Sequence, residues 1–203
     1  MILRAERIAK RLEEGELEGA GDPLVISPRK DTNKLKKSGS ASIDLTLGTW
    51  FMTLRQARIS HLGAGTKKNA QLTKTHYVPF GKRYFLHPRN FVLASTLEWL
   101  RIPGDLAAYV IGRSSWGRRG LIIATATGVH PGFTGCLTLE LTNVGEIPIA
   151  ISPGDEICQL FIHTAEPENN DNEDVDRSQF VGSRKPTLGR IDPGPYWLGG
   201  SQE

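Results

Sequence analysis

The sequence predicts a mainly β fold, a barrel or sandwich of short strands with one short helix at its N-terminal end. Three observations carry this. Short apolar runs ("YFLHP", "AAYVIG", "LIIATATG", "IPIAISPGD") recur between turn signals, with 22 glycines and 12 prolines as punctuation. Ile43, Leu45 and Leu47 alternate with Ser42, Asp44 and Thr46, the period of two of a half-buried strand. Ala5, Ile8, Ala9 and Leu12 stand at helical spacing, an apolar stripe that Gly15 ends.

Between that helix and the first long strand, residues 21–40 read as a loop, with the basic tract "RKDTNKLKK" as its solvated part. Strands follow from "SASIDLTLGTWFMTL" to "EICQLFIH", which places a barrel domain with its helix at residues 1–164. Residues 165–177, "AEPENNDNEDVDR", are acidic and almost free of apolar side chains, the composition of an exposed linker. Residues 178–203 are basic at first, then rich in glycine and proline. They read as an arm that orders on meeting a ligand.

A net charge of +3 is too small for bulk attraction to nucleic acid or to a membrane surface, so any affinity for anions is local. No run approaches the roughly twenty apolar residues of a membrane span. The first residues are amphipathic, unlike the apolar core of a signal peptide. The expectation is a cytoplasmic protein with no nucleic-acid or membrane partner. Cys136 and Cys158 lie in apolar contexts and read as buried thiols.

The stretch "GRSSWGRRG" (112–120) carries Arg113, Ser114, Ser115, Arg118 and Arg119 between apolar runs. Guanidinium forks, hydroxyls and glycine-freed amides together suit a phosphate cradle. The same residues also suit an exposed charged turn. In "VHPGFTGCLTLEL", Pro131-Gly132 reads as a turn, and Leu137, Leu139 and Leu141 then alternate with Thr138, Glu140 and Thr142. Glu140 is therefore either a carboxylate on a wet strand face or, beside such a cradle, a general base. A zinc deaminase needs H-x-E followed by P-C-x-x-C. None of His61, His76, His87, His130 and His163 begins an H-x-E, and the two cysteines are far apart, so no zinc site of that type is expected. Neither nucleotide loop, G-x-x-x-x-G-K-[ST] nor G-x-G-x-x-G, is present.

Taken in order, these residues resemble the dCTP deaminases of the trimeric dUTPase superfamily. The similarity covers nearly the whole chain, through "SASIDLTLG", "GRSSWGRRGL", "HPGFTGCLTLELTNVGEIPIAISPGDEICQL" and "FVGSRKPTLGRI". Its most specific part is R-S-S-x-x-R, then P-G-[FW]-x-G, then L-E. The resemblance implies a distorted β-barrel or jelly-roll of the dUTPase-like (β-clip) type, assembled as a homotrimer with active sites between subunits. It implies hydrolytic deamination of dCTP to dUTP and ammonia without zinc, in the supply of dUMP and dTTP. Glu140 then matches the catalytic carboxylate, and Ser114 and Arg118 match the residues that hold the attacking water and orient that glutamate. Arg113 and Ser115 match phosphate contacts across a subunit boundary, and Trp116 and Gly117 belong to the same binding loop. Ala126 and Thr127 align with the strand end that reads the pyrimidine edge, and Thr138 and Leu139 with the segment packed on the sugar. Magnesium would ride on the triphosphate, and dTTP or dUTP would be inhibitors.

Two places depart from the family pattern. His130 stands where an aspartate usually precedes the Pro-Gly turn. That argues against added dUTP diphosphatase activity, while a histidine there either bonds the sugar or is simply exposed. In the arm, Gln179, Phe180 and Ser183 replace the usual Lys, Tyr and Gln. Arg184, Lys185 and Arg190 either restore the lost positive charge on the nucleotide or form a free basic tail. The alternatives to a plain deaminase are a bifunctional deaminase and diphosphatase, or a nucleotide-binding regulator without turnover.

Overall fold

A computed structural model describes residues 1–17, 19, 21–55, 72–124, 128–166 and 182–189. In chain order the elements are α1 (Ala5–Glu14), β1 (Val25–Ser27), α2 (Thr32–Lys37), β2 (Ile43–Leu54), β3 (Thr73–Tyr77), β4 (Tyr84–Leu86) and β5 (Phe91–Arg101). They continue with β6 (Leu106–Gly112), α3 (Ser114–Gly117), β7 (Leu121–Ile123), β8 (Gly128–Val129), β9 (Thr134–Asn143), β10 (Ile149–Ile151) and β11 (Glu156–Thr164). The mainly β expectation and the N-terminal helix are both met.

The strands lie in the order β7-β9-β5-β2-β11-β6-β8, with β1 added to β5 and β3 to β2, while β4 and β10 form a separate ribbon. The described pairings are antiparallel. Register shifts fall between Leu47 and Phe51 in β2, Ser95 and Trp99 in β5, and Glu156 and Cys158 in β11. Each extra residue on one strand bends the ladder and raises its twist, so the sheet curls into a half-barrel. Inside the curl, Leu45, Leu47 and Phe51 of β2 meet Val92 and Leu100 of β5 and Leu137, Leu139 and Leu141 of β9. The period of two read from residues 42–47 is thus the inward and outward faces of one strand.

Helix α1 closes one end of this core with Ala5, Ile8, Ala9 and Leu12, the four residues of its apolar stripe. It is tied to the β5–β6 turn by Arg11, whose Nη1 and Nη2 donate to Asp105 at 2.7 and 2.9 Å. The Arg11 guanidinium holds the Asp105 carboxyl below its usual range. A depressed carboxylate stabilises the fold above its unfolded pKa and loses that contribution as pH falls through the lower folded value. Asp105→Asn is therefore expected to cost at most about 1 kcal/mol at neutral pH and nothing in acid below both values. Urea midpoints measured at both pH values check this.

The loop expected over residues 21–40 is partly wrong. It contains β1 and the helix α2, whose N-cap Asp31 accepts from Lys34 N at 3.1 Å. Thr32 is buried and Leu35 packs against the core. Lys36 reaches Glu13 of α1 at 2.7 Å. Lys30, read as solvated, turns inward to the buried Glu98.

Candidate active site

The sequence "HPGF" makes the turn that starts β9. Phe133 N donates to His130 O at 3.2 Å, and Gly132 has φ of 75°. Proline second and a positive-φ glycine third is the type II turn pattern. From there the strand alternates as read. Leu137, Leu139 and Leu141 are buried, while Cys136, Thr138, Glu140 and Thr142 are half-buried on the outer face. Neighbours directly across a ladder share a face. Leu93 of β5 lies opposite Glu140, Ser95 opposite Thr138 and Trp99 opposite Cys136. Met52 of β2 lies opposite Leu93, so Trp50, two residues earlier, stands on the same face. Beyond β7, Ala124 N donates to Glu140 O at 2.9 Å, which fixes the backbone at the carboxylate. The result is a glutamate on a rigid central strand, flanked by hydroxyls and facing outward.

The "RSSWGRRG" stretch is a short helix, α3, between β6 and β7, and its Ser114, Ser115, Gly117, Arg118 and Arg119 are exposed in the single chain. Its base is pinned to β11. Arg113 N donates to Ile157 O at 3.1 Å, and Trp116 Nε1 donates to Glu156 O at 2.9 Å. The Arg113 guanidinium pairs with the Glu156 carboxylate through Nη1, and the same nitrogen lies 3.4 Å from Asp44. Gln159 Nε2 supports Asp44 at 3.1 Å. Arg119 caps the turn by donating to Ser115 O at 2.7 Å. A cation at Arg113 and a half-buried indole at Trp116 thus hold the turn from beneath, and Ser114, Ser115 and Arg118 project outward.

Part of the arm crosses the face that bears Glu140. Gly182 N donates to Thr134 O at 2.6 Å, and Cys136 N donates to Ser183 O at 2.8 Å. Gly135, between these bonds, has φ of 148°, and a Cβ there would meet Ser183 O at 3.2 Å. Gly135→Ala is expected to cost about 1–3 kcal/mol through the strained backbone and to loosen residues 182–183. A lower Tm together with faster alkylation of Cys136 checks this. Ser183 Oγ donates to Lys185 O at 2.6 Å. Arg184 and Lys185, expected as phosphate ligands or tail, lie over the rings of Trp99 and Trp50. The thiols differ from each other. Cys158 is fully buried and pushed up to about 12 by burial, whereas Cys136 is only half-buried and raised less far, again by burial.

With this geometry in place, the comparisons with known proteins are decisive. A dCTP deaminase-like family model matches residues 2–165. The chain belongs to the dCTP deaminase family. Among its relatives, a dUMP-forming dCTP deaminase of Methanobrevibacter smithii is 37% identical over 80% of each chain. A dUMP-forming dCTP deaminase of Dictyoglomus thermophilum is 37% identical over 95% of each, and a dCTP deaminase of Natronomonas pharaonis 38% identical over 100% of each. The crystal structure of the 2′-deoxycytidine 5′-triphosphate deaminase from Agrobacterium tumefaciens has the same fold, with a TM-score of 0.57 at 22% identity. That likeness covers 79% of this chain and 46% of the other, so this chain spans under half the solved one.

Of the residues singled out from the sequence, Thr138 and Glu140 share one face with the arm's Ser183, Arg184 and Lys185. Arg113 and Trp116 instead contact β2 and β11, and His130 is exposed at the start of β9. Ala126, Thr127, Gln179, Phe180 and Arg190 lie outside the described residues, as do residues 167–177 of the expected acidic linker. Asp44, Glu156, Trp50 and Trp99 escaped the sequence reading. The signal for the tryptophans was their outward position on strands; for the carboxylates there was none, since their partner Arg113 is distant in sequence. No helix among the described residues is long and apolar enough to cross a membrane.

Proposed function

We propose that the protein hydrolyses dCTP, as its magnesium complex, to dUTP and ammonia, and that Glu140 is the general base. The observation that carries this is Glu140 itself: in a chain of the dCTP deaminase family, the one carboxylate of β9 stands on its outer face. Neutral water is a poor nucleophile, so a carboxylate must take its proton as the oxygen attacks C4 of cytosine. Glu140 gives that proton to N3, then takes the hydroxyl proton of the C4 adduct and hands it to the amine, so that the C4–N bond breaks, ammonia departs and the C4 carbonyl forms. Ser114 and Arg118 hold the water and orient the carboxylate. Ser115 and Arg113 meet the phosphates; both Arg113 ion pairs run through Nη1, and a guanidinium has five N–H donors. Thr138 packs against the sugar, with His130 at its 3′ side, and Ala126 and Thr127 read the pyrimidine edge. Leu139, expected beside the sugar, instead faces the core from the inner side of β9.

Outward-facing Glu140 and outward-facing α3 support a site shared between subunits. The homotrimer, a cytoplasmic location and dTTP or dUTP as competing ligands belong to the proposal through the family resemblance alone. A bifunctional reading has one observation in its favour, the dUMP-forming names of relatives as similar as the others. His130 in place of an aspartate favours dUTP as the product. Ammonia release from dCTP and magnesium tests the reading: stoichiometric ammonia supports it, and bound dCTP without ammonia would make the chain a regulator instead.

A further inference from the structure

Two tryptophans outside the deamination chemistry are covered by the arm. Lys185 Nζ lies 3.9 Å from the centroid of the Trp50 ring, and Arg184 Cζ lies 4.9 Å from that of Trp99. Both distances are within the reach of a cation over the negative face of an indole, the best aromatic partner for such a charge. Trp99 is on β5 opposite Cys136, and Trp50 is on β2 beside Tyr77, with ring centroids 5.0 Å apart. The two cations therefore straddle the sheet from β9 towards β2. Two backbone bonds, at Thr134 and Cys136, fix the segment's other side, and Pro186 just beyond is buried. Four attachments over four residues, 182–185, define where the arm crosses the Glu140 face.

We infer that Trp50 and Trp99 are positioning residues: they take Lys185 and Arg184 on their ring faces and so set the arm against the nucleotide site. The two cations act through tryptophan and not by touching phosphate. Arg184 and Lys185 set their charge against the indole faces, and the role assigned to them is to anchor the arm. The effect on turnover rests on the proposed function; the docking itself does not.

Cys136 supplies a reporter independent of activity. Its amide is bonded to Ser183, and Arg184 is close enough to lower its thiol pKa against the larger effect of burial. Cys158 is buried and pushed up to about 12, so it stays silent towards alkylation. The experiment is labelling of the full-length protein with iodoacetamide at neutral pH, with the modified cysteine located by mass spectrometry. Arg184 and Lys185 are exposed, so Arg184→Met with Lys185→Met does not threaten the core. Losing the Arg184 charge alone would raise the thiol pKa and slow labelling. Losing the docking uncovers Cys136 and accelerates it, by about fivefold or more if the two contacts act together. Acceleration supports docking through the tryptophans; slower or unchanged labelling overturns it.

A double-mutant cycle on dCTP turnover then tests the positioning role. Trp50→Leu and Lys185→Met are each expected to raise KM by about three- to tenfold, and more than they lower kcat. The pair together is expected to be no worse than the worse single change, because both remove one contact. Multiplying effects would mean that Lys185 meets the nucleotide itself and would overturn the assignment. Absence of any deamination would defeat the proposed function and leave the labelling result standing.

Discussion

Glu140→Gln is expected to lower kcat for dCTP deamination by about 10²- to 10⁴-fold, the usual span for a positioned general base, with dCTP still bound. Glutamine fills the same volume and keeps one acceptor oxygen, but it cannot take a proton from water. The burial of β9 is kept, because Leu137, Leu139 and Leu141 carry it from the other face. The Ala124 N to Glu140 O bond is made by backbone and is also kept. Single-turnover measurement of ammonia, with nucleotide affinity by calorimetry, separates chemistry from binding. Normal turnover by this variant would remove Glu140 from its role.

Lys30→Met should unfold the protein more readily than other single changes outside its apolar core. Glu98 is 2% exposed. Its carboxylate accepts from Lys30 Nζ at 2.5 Å, from Thr46 N at 2.9 Å and from Thr46 Oγ1 at 2.8 Å. Removing the lysine leaves a buried negative charge with neutral donors only, and breaking such a pair costs about 3 kcal/mol or more. For a chain of this length that is a fall in Tm of about 6–12 °C. Adding Glu98→Gln to Lys30→Met should recover part of the loss, since no uncompensated charge then remains. Thermal denaturation of the single and double variants checks both statements.

The residues that sequence reasoning placed correctly are those whose partners lie within a few positions. The stripe of α1 and the alternation of β9 are local periodicities, and each reports one buried face regardless of what covers it. The Pro-Gly turn before β9 is equally local. What was missed depends on distant partners. Lys30 looked like part of a solvated basic run because Glu98, its partner, is 68 residues away. The N-cap signal of α2 at Asp31 was readable, but the lysines after it masked a helix that packs on α1. The pairing of Arg113 with Glu156, 43 residues on, was beyond local patterns for the same reason. Arg184 and Lys185 likewise took their meaning from Trp99 and Trp50, which no spacing in the sequence links to them.

The central claim is that this protein removes the amino group of dCTP and leaves its triphosphate intact. Chromatography of the nucleotides after complete reaction of dCTP with the purified protein and magnesium tests it most directly. The account predicts a single product, dUTP, with no pyrophosphate. A product of dUMP and pyrophosphate would show that phosphate cleavage proceeds with His130 in place, and dCTP recovered unchanged would contradict the assignment of Glu140 as a working base.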